Sequence, residues 1–428
     1  MRDELLEAYR ESTPDSRAIH DRATDVMPGG DTRSVTYHPP YPAYVESAQG
    51  ATLTTEDGEV LLDLLNNYTQ AVLGHSPPAV VEAVCDQFRS GNGVAAPTEP
   101  IVELAERLVE RTPSLEHVRF GNSGTEGTMN AIRAAIGWTG SDRVCKIHGG
   151  YHGTHDAVEI AVTDDGREHR GIPSNVEDRI ETVRFNDTES LKTVFETTGS
   201  ELACLILEPV LGVGGMVPAT DGFLRTARDL TEETETLLIF DEVMTYRLSP
   251  GGAQERYDVV PDLTALGKLI GGGLPIGAFG GRRDVMHQFH PEEGSIDHSG
   301  TFNGNRATMA GGAATLDRLD ADAISTLNSR GEELRARLSE VGAESRLPVR
   351  ITGDGSLFQV HFTDEQVSDA ETSTAGQEPL LELFFALRSE GVFLAPRGMG
   401  NLSTATESKD LDTVVEAFER SLGRIAAD

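Results

Sequence analysis

The chain has 428 residues, of which 70 are Asp or Glu and 36 are Lys or Arg, so its formal net charge is −34. A surface this acidic repels nucleic-acid phosphates and anionic membranes, which excludes both as expected partners. The sequence contains no apolar run of about 20 residues, and its N-terminus has the pattern of an acidic amphipathic helix and not of a signal peptide. We therefore expect no transmembrane helix and a cytoplasmic location.

Cysteine and lysine are both scarce. The three cysteines form no spacing motif, which argues against a disulfide framework and favours a reducing compartment. The four lysines are Lys146, Lys192, Lys268 and Lys409. Such a surface suits high ionic strength, where salt screens the repulsion between like charges, and it resembles proteins of salt-in halophiles. The scarcity also leaves few candidates for lysine chemistry.

Elements in chain order predict a mainly parallel sheet between two shorter terminal regions. Residues 34–65 alternate as antiparallel strands do, around an Asp57-Gly58 turn. Helical patterns then alternate with short apolar runs, which is typical of parallel strands joined by crossover helices. The predicted strands are Val118–Phe120, Arg143–Ile147, Leu202–Leu207 and Leu237–Phe240. The predicted helices are Pro100–Arg111, Thr125–Trp138 and Thr220–Thr231.

The C-terminal region, like the N-terminal one, combines predicted helices and strands. We predict a helix over Ala321–Val341, strands over Val349–Ile351 and Leu357–Phe362, and a solvated polar loop over Thr363–Glu378. Both chain ends can therefore combine into a smaller α+β domain. The predicted boundaries are 1–65 and 307–428 for the smaller domain and 66–306 for the large domain.

The segment Phe120-Gly-Asn-Ser-Gly-Thr-Glu126 runs from a strand into a helix. Ser123, Gly124 and Thr125 would place hydroxyls and free N–H groups at a helix N-terminus, an arrangement that binds phosphate. An ordinary helix cap completed by Glu126 explains the same residues. Neither a P-loop nor a complete Gly-x-Gly-x-x-Gly fingerprint occurs in the sequence.

Two further segments carry possible chemistry. Asp241 ends an apolar strand, where open α/β sheets bind ligands, and its carboxylate could pair with a protonated pyridine nitrogen. Lys268 follows an apolar run and precedes three glycines, a setting that would make its amine a usable nucleophile and base. The alternatives are a strand-end Asp bonded to loop N–H groups and a lysine that extends to solvent.

A histidine-rich segment offers a metal site as one alternative. His148, His152, His155 and Asp156 lie close in sequence, but the glycines between them disfavour a single helical face of ligands. No His-Glu-x-x-His motif occurs, so we expect no metal. Tyr151 is better suited to stack on the ring of a cofactor.

In this order the motifs resemble those of the class III (fold-type I) aminotransferases, which depend on pyridoxal 5′-phosphate (PLP). The similarity covers nearly the whole chain and is strongest in Asp-Glu-Val-Met-Thr at 241–245 and Ala-Leu-Gly-Lys-Leu-Ile-Gly-Gly-Gly at 265–273. It implies a large domain with a mainly parallel sheet covered by helices on both faces, a smaller α+β domain, and a homodimer with shared active sites. The implied cofactor residues are Ser123, Gly124 and Thr125 at the phosphate, Tyr151 and Val243 on the two ring faces, Asp241 at the pyridine nitrogen, Lys268 as the Schiff-base lysine, and Thr301 from the neighbouring subunit.

Within class III, the sequence resembles the glutamate-1-semialdehyde aminomutase branch, with departures. Thr36 stands where the aminomutases carry an arginine. Arg33 and Arg397 instead resemble two arginines of β-phenylalanine aminotransferases that bind carboxylates. A planar guanidinium suits this role because it grips a carboxylate through two hydrogen bonds, although a surface ion pair would also explain either residue.

The leading hypothesis is therefore ping-pong transfer of an amino group from a β-amino acid to a keto acid such as 2-oxoglutarate or pyruvate, with Lys268 as the proton carrier. A second hypothesis is isomerisation of glutamate 1-semialdehyde by an aminomutase. A third is a PLP-fold protein that binds without catalysis. The partners expected are small amino and keto acids.

Overall fold

A computed structural model describes residues 2–162, 171–374, 376 and 379–427. It divides into two compact units, named here by their place in the sequence. The central unit is Pro78–Thr326 with Val367–Ser373, and the terminal unit is Met1–Pro77, Leu327–Gln366 and Thr374–Asp428. The predicted domain boundaries at 65/66 and 306/307 stay a prediction. Among the described residues, no helix is both long enough and apolar enough to cross a membrane.

A seven-stranded sheet forms the core of the central unit. In spatial order its strands are His117–Gly121, Gly277–Gly281, Leu263–Gly267, Leu237–Asp241, Leu202–Leu207, Arg143–Ile147 and Ile180–Val183. Six of them run parallel, and Gly277–Gly281 is antiparallel to both of its neighbours. A short hairpin, Val210–Leu211 with Val217–Pro218, forms a separate two-stranded sheet.

The inner strands are continuous apolar runs because helices cover both faces of the sheet. Every residue of Leu202–Leu207 and of Leu237–Asp241 is buried, the pattern of a doubly covered parallel sheet. The α-helices of this unit are Pro78–Arg89, Glu99–Arg111, Gly124–Thr139, Asp156–Glu159, Ser174–Glu177, Thr188–Thr198, Asp221–Glu233, Ala253–Arg256, Arg283–Met286, Arg306–Arg318 and Ala370–Ser373. The predicted α/β fold with a mainly parallel sheet is confirmed.

Sequence analysis missed the strand Gly277–Gly281. Glycine is depleted in strands, so the segment Gly-Ala-Phe-Gly-Gly gives little strand signal. The structure requires glycine there, since a Cβ atom on Gly277 would lie 1.8 Å from the carbonyl oxygen of Ser123. The close approach of two backbones, and not β-propensity, selects this sequence.

The terminal unit has two small sheets and the remaining helices. Its strands are Val45–Gln49, Thr52–Thr55, Val60–Asp63 and Val392–Phe393 in one sheet, and Val349–Thr352, Leu357–Phe362 and Met399–Asn401 in the other. Its helices are Arg2–Ser12, Pro14–Thr24, Leu380–Ser389 and Ser408–Ile425, together with Ala321–Glu344, whose residues are divided between the two units. A four-residue turn, Asn66–Thr69, completes the unit.

One loop prediction was wrong in part. Within the predicted solvated segment 363–378, residues Ala370–Ser373 form a short helix whose Ala370 and Ser373 are buried. The carboxylate of Asp369 accepts a hydrogen bond from the Thr372 amide at 2.8 Å, as helix-capping carboxylates do. Ala370 packs into the apolar core of the central unit. Residues 375, 377 and 378 lie outside the described residues.

Candidate functional site

Chemistry-bearing residues of the central unit follow the carboxyl ends of neighbouring parallel strands. Such ends meet at one edge of a sheet, where α/β proteins bind ligands. The residues at this edge are Ser123 after His117–Gly121, Lys268 after Leu263–Gly267, Asp241 at the end of Leu237–Asp241, Glu208 after Leu202–Leu207, and Tyr151 with His152 after Arg143–Ile147. The fold therefore collects side chains that are separated by up to 145 positions, from Ser123 to Lys268.

The predicted phosphate loop is both a helix cap and a helix N-terminus. The Ser123 hydroxyl accepts a hydrogen bond from the Glu126 amide at 3.1 Å, and the Glu126 carboxylate accepts one from the Asn122 amide at 2.9 Å. Ser123 is therefore the side-chain N-cap of the helix, and Glu126 binds the amide of the residue before that cap. The helix begins at Gly124, so the amides of Gly124 and Thr125 lie in its first turn, where an anion is favoured.

Val243 lies against this loop and against the residue before Lys268. A Cβ atom on Gly124 would lie 3.1 Å from both γ carbons of Val243, and one on Gly267 would lie 3.3 Å from Val243 Cγ1 and 3.5 Å from Gly124 Cα. Glycine at both positions lets the Val243 side chain pack closely against the two backbones. The predicted phosphate loop, Val243 and the backbone of Gly267 therefore pack closely together.

Lys268 has an unusual backbone conformation. Its φ of 50° lies in the left-handed region at the start of a 3₁₀ turn, Lys268–Gly271. A residue with a side chain is uncommon there, and such strain concentrates at functional sites. The side chain is half-buried.

The other three lysines already have polar partners. Lys192 and Lys409 are exposed and pair with Glu189 and Glu407, each at 2.7 Å. Lys146 is fully buried, and its Nζ donates to the carbonyl oxygens of Gly150, Val158 and Ile160 at 2.9, 3.0 and 2.6 Å. Burial lowers the pKa of Lys146 to about 7, against the opposing charges of Glu208 and Glu159.

Asp241 is 4% exposed, and its carboxylate is held at both oxygens. Oδ1 accepts a hydrogen bond from the Val243 amide at 3.0 Å, and Oδ2 contacts His152 Nδ1 at 2.9 Å. A buried carboxylate is costly unless its charge is compensated. The site therefore suits a cationic ring nitrogen.

Tyr151 and His152 lie on one loop but in different surroundings. Tyr151 is 40% exposed, whereas His152 is 1% exposed. The Tyr151 amide donates to the Glu208 carboxylate at 3.1 Å. Among the described residues, no group of three His, Cys, Asp or Glu side chains could hold a metal ion.

Glu208 is a member of this edge that sequence analysis missed. It is 3% exposed and accepts hydrogen bonds from the amides of Tyr151 and Gly212 at 3.1 and 3.2 Å. Burial, and then the charge of Asp241, raise the pKa of Glu208 to about 8, while these amides and the charge of Lys268 act in the opposite sense. The available signal was the one used for Asp241, an acidic residue directly after an apolar strand.

Arg33 and Arg397 come together in the terminal unit, around Tyr68. The guanidinium carbons of Arg33 and Arg397 lie 5.2 and 5.9 Å from the centre of the Tyr68 ring, within the range of cation–π contacts. Arg33 Nη1 also donates to Asn67 Oδ1 at 2.8 Å. A cavity of about 440 Å³, lined in part by Arg33, Tyr68 and Thr36, lies beside them.

The turn that carries Tyr68 is strained. Asn66, Asn67, Tyr68 and Thr69 have φ values of 47°, 49°, 53° and 78°, and each such residue costs about 1–3 kcal/mol. The Asp63 carboxylate compensates by accepting the amides of Leu65 and Asn66 at 2.7 and 3.0 Å. These two hydrogen bonds hold the start of the turn that carries Tyr68.

Comparison with known proteins gives the family. The aminotransferase class III family model matches residues 33–422. The chain belongs to the class III aminotransferases. It is 40% identical over 414 residues to a glutamate-1-semialdehyde 2,1-aminomutase of Methanothermobacter thermautotrophicus, covering 95% of this chain and 98% of that protein.

Solved structures of transaminases share the fold. A β-phenylalanine aminotransferase from Variovorax paradoxus matches with a TM-score of 0.94 and 35% identity, covering 99% of this chain and 97% of that one. A transaminase with PLP bound matches with a TM-score of 0.91 and 35% identity, covering 97% and 98% of the two chains.

This class III chain is a PLP-dependent enzyme, as the resemblance implied, and not a silent PLP-binding module. Its residues fit the cofactor: the helix N-terminus at Gly124 suits its phosphate, and the buried carboxylate of Asp241 suits its cationic ring nitrogen. The half-buried Lys268 follows the neighbouring strand Leu263–Gly267 at the same edge of the sheet.

Proposed function

We propose that this class III enzyme moves an amino group within glutamate 1-semialdehyde, as a 2,1-aminomutase. The observation that carries the proposal is the 40% identity to an aminomutase along almost the full length of both proteins. This support favours the aminomutase over transamination of a β-amino acid, which sequence analysis had placed first.

The proposed roles of the chain's own residues follow from their surroundings. PLP, when bound, withdraws electrons from the substrate carbon. Lys268 would hold the cofactor covalently, and its amine would carry the proton to and from the reacting carbon. Asp241 keeps the pyridine nitrogen protonated, Tyr151 and Val243 cover the ring faces, and Ser123, Gly124 and Thr125 bind the phosphate.

A second candidate is transamination of a β-amino acid, favoured by the pair of arginines at Tyr68. Two guanidiniums within 6 Å of one ring could bind carboxylates at two distances from the reacting amine. Thr36, where aminomutases carry an arginine, instead hydrogen-bonds to Asp31. In this candidate Arg33 binds the substrate carboxylate and Arg397 the keto acid.

The two candidates differ in whether a second substrate is consumed. We would incubate the purified holoenzyme in high salt with glutamate 1-semialdehyde alone, and with β-phenylalanine plus 2-oxoglutarate or pyruvate. An aminomutase converts the first completely to the isomer aminated at carbon 1, without any keto acid. Turnover of β-phenylalanine only, with stoichiometric consumption of the keto acid, would reject the aminomutase in favour of the second candidate.

We also propose a homodimer in which Thr301 reaches the partner's cofactor phosphate, stabilised at high salt. Thr301 is exposed, and its neighbour Phe302 is 68% exposed, which is unusual for a phenylalanine. Light scattering in high salt should give twice the monomer mass of 46.0 kDa. Thr301→Val should weaken PLP binding, and a monomer that binds PLP with unchanged affinity would contradict the proposal.

A further inference from the structure

The peptide group between Gly150 and Tyr151 is held at both of its ends. Its carbonyl oxygen, which belongs to Gly150, accepts a hydrogen bond from Lys146 Nζ at 2.9 Å. Its N–H group, which belongs to Tyr151, donates to Glu208 Oε2 at 3.1 Å. Two side chains therefore fix one peptide plane, in a loop that follows a strand of the central sheet.

Both partners of this peptide group belong to the rigid core of the central unit. Lys146 lies within the strand Arg143–Ile147, and Glu208 directly follows the neighbouring strand Leu202–Leu207. The exposed fractions of Lys146 and Glu208 are 0% and 3%. Because side chains in a closely packed interior have little room to change rotamer, the sheet sets the orientation of this peptide plane.

Each partner is itself anchored by further hydrogen bonds. Lys146 Nζ also donates to the carbonyl oxygens of Val158 and Ile160, at 3.0 and 2.6 Å. Glu208 Oε1 accepts a hydrogen bond from the Gly212 amide at 3.2 Å. A carboxyl oxygen accepts hydrogen bonds whether the group is ionised or protonated, so both contacts of Glu208 are available in either state. Neither side chain can leave the peptide group without breaking its other contacts.

We propose that Glu208 is a positioning residue that sets the place of the Tyr151 ring against the ring of PLP, while Lys146 holds the other end of the same peptide group. Tyr151 follows Gly149 and Gly150, and glycine has the least restricted backbone of any residue. Rotation of the peptide plane would carry the Cα–Cβ bond of Tyr151, and hence its ring, away from the cofactor. The inference rests on the proposed role of Tyr151 at one face of the cofactor ring.

Substitution of Glu208 in two backgrounds tests whether it acts through Tyr151. Glu208→Met removes both acceptor oxygens at a similar side-chain length, and Glu208→Gln keeps one of them. We expect Glu208→Met to raise the dissociation constant of PLP about tenfold, the size expected when a buried amide loses its acceptor, and Glu208→Gln to raise it less. In the Tyr151→Leu background neither substitution should have a further effect, because the ring that Glu208 positions is absent.

The single and double variants distinguish the two ways of failing. If Tyr151→Leu leaves the dissociation constant of PLP unchanged, the role of Tyr151 is wrong and the inference fails with it. If Tyr151→Leu raises this constant but Glu208→Met does not, the role of Glu208 is wrong and that of Tyr151 stands. The same conclusion follows if the effect of Glu208→Met persists in the Tyr151→Leu background. The titration uses PLP alone, so its result does not depend on which substrate the enzyme accepts.

Glu242→Met is the matched control. Glu242 is another buried carboxyl that accepts two backbone amides, those of Ala253 and Gln254. Its substitution should lower the free energy of unfolding and leave the dissociation constant of PLP unchanged. An equal rise in both variants would overturn the positioning role, because the loss of any buried carboxyl would then loosen the site.

Amide exchange in the wild-type holoenzyme tests the contact without any variant of Glu208. Labelling with ¹⁵N-tyrosine isolates the tyrosine amides, and the signal absent from Tyr151→Phe identifies that of Tyr151. We expect this amide to exchange about a hundredfold more slowly than a tyrosine amide in an unfolded chain. Exchange at the unfolded rate would overturn the proposal even if Glu208→Met fails to fold.

Discussion

The edge of the central sheet and the arginine pair of the terminal unit are built in opposite ways. At the sheet edge, Asp241 and Glu208 are almost fully buried and directly end or follow strands, so regular backbone fixes them. Arg33 is exposed and Arg397 half-buried, and both reach Tyr68 through long side chains from irregular segments. From this difference we infer that the groups proposed for cofactor chemistry are held more rigidly than the groups proposed to choose the substrate.

Lys268→Ala is the strongest test of the difference between the two regions. We expect activity to fall by about 10⁴-fold or more, because both the covalent link to PLP and the proton carrier are lost. After borohydride reduction, mass spectrometry of wild-type peptides should find the cofactor on Lys268. Lys192→Ala, at an exposed helical position, is the control and should keep full activity. An adduct on Lys146 would contradict the assignment.

A smaller loss of activity is expected from Asp241→Asn, which preserves the shape of the side chain but removes its charge. We expect kcat/KM to fall by about 100- to 1000-fold, the size of losing one preorganised electrostatic group. Glu242→Gln is a matched control, because Glu242 is a buried carboxyl bonded to Gln254. It should lower the free energy of unfolding but retain PLP binding. Equal losses in the two variants would mean that the effect is structural.

Arg33→Gln and Arg397→Gln test the arginine pair of the terminal unit. Each should raise KM for a carboxylate substrate about 10- to 100-fold, since a hydrogen-bonded charge is lost, with little change in PLP absorbance. Amines without a carboxylate should be unaffected. Arg225→Gln, on the exposed face of the helix Asp221–Glu233, controls for a general change in charge. Loss of PLP binding in Arg33→Gln would remove the distinction between the two regions.

Substitution of Lys146 has the smallest expected effect, which is on the free energy of unfolding. Its pKa is lowered from 10.5 to about 7 in the folded protein, so between these pH values the unfolded chain binds one more proton. The stability of the wild type relative to Lys146→Met should therefore rise with pH above 7, by up to about 1.4 kcal/mol per pH unit. Below pH 7 the difference should be flat. Denaturant unfolding curves of both proteins between pH 6 and 9, a range that reaches about two pH units above the lowered pKa, measure this pH dependence.

Lys192→Met, which removes an exposed lysine, controls for the change in total charge. We expect its stability relative to the wild type to vary much less with pH over the same range. A difference between wild type and Lys146→Met that stays constant or falls as pH rises would contradict the sign derived from the lowered pKa of Lys146.

The sequence by itself determined four of the six parallel strands, the residues that follow them and the family. This was possible because a strand buried on both faces must be a continuous apolar run, so a carboxylate or lysine at its end stands out, as at Asp241 and Lys268. Local signals also placed the cap at Ser123. These features depend on residues that are neighbours in the chain.

Only the tertiary structure decided which of these residues have a common environment. The contact between His152 and Asp241 joins positions 89 apart, and the strand order that brings their loops together has no local signature. Glycine stands at 277 because the backbone of Ser123 leaves no room for a Cβ atom, and the left-handed turn at Tyr68 begins at amides that the Asp63 carboxylate binds. The physical reason is the same in each case: close packing between segments remote in sequence outweighs local preference.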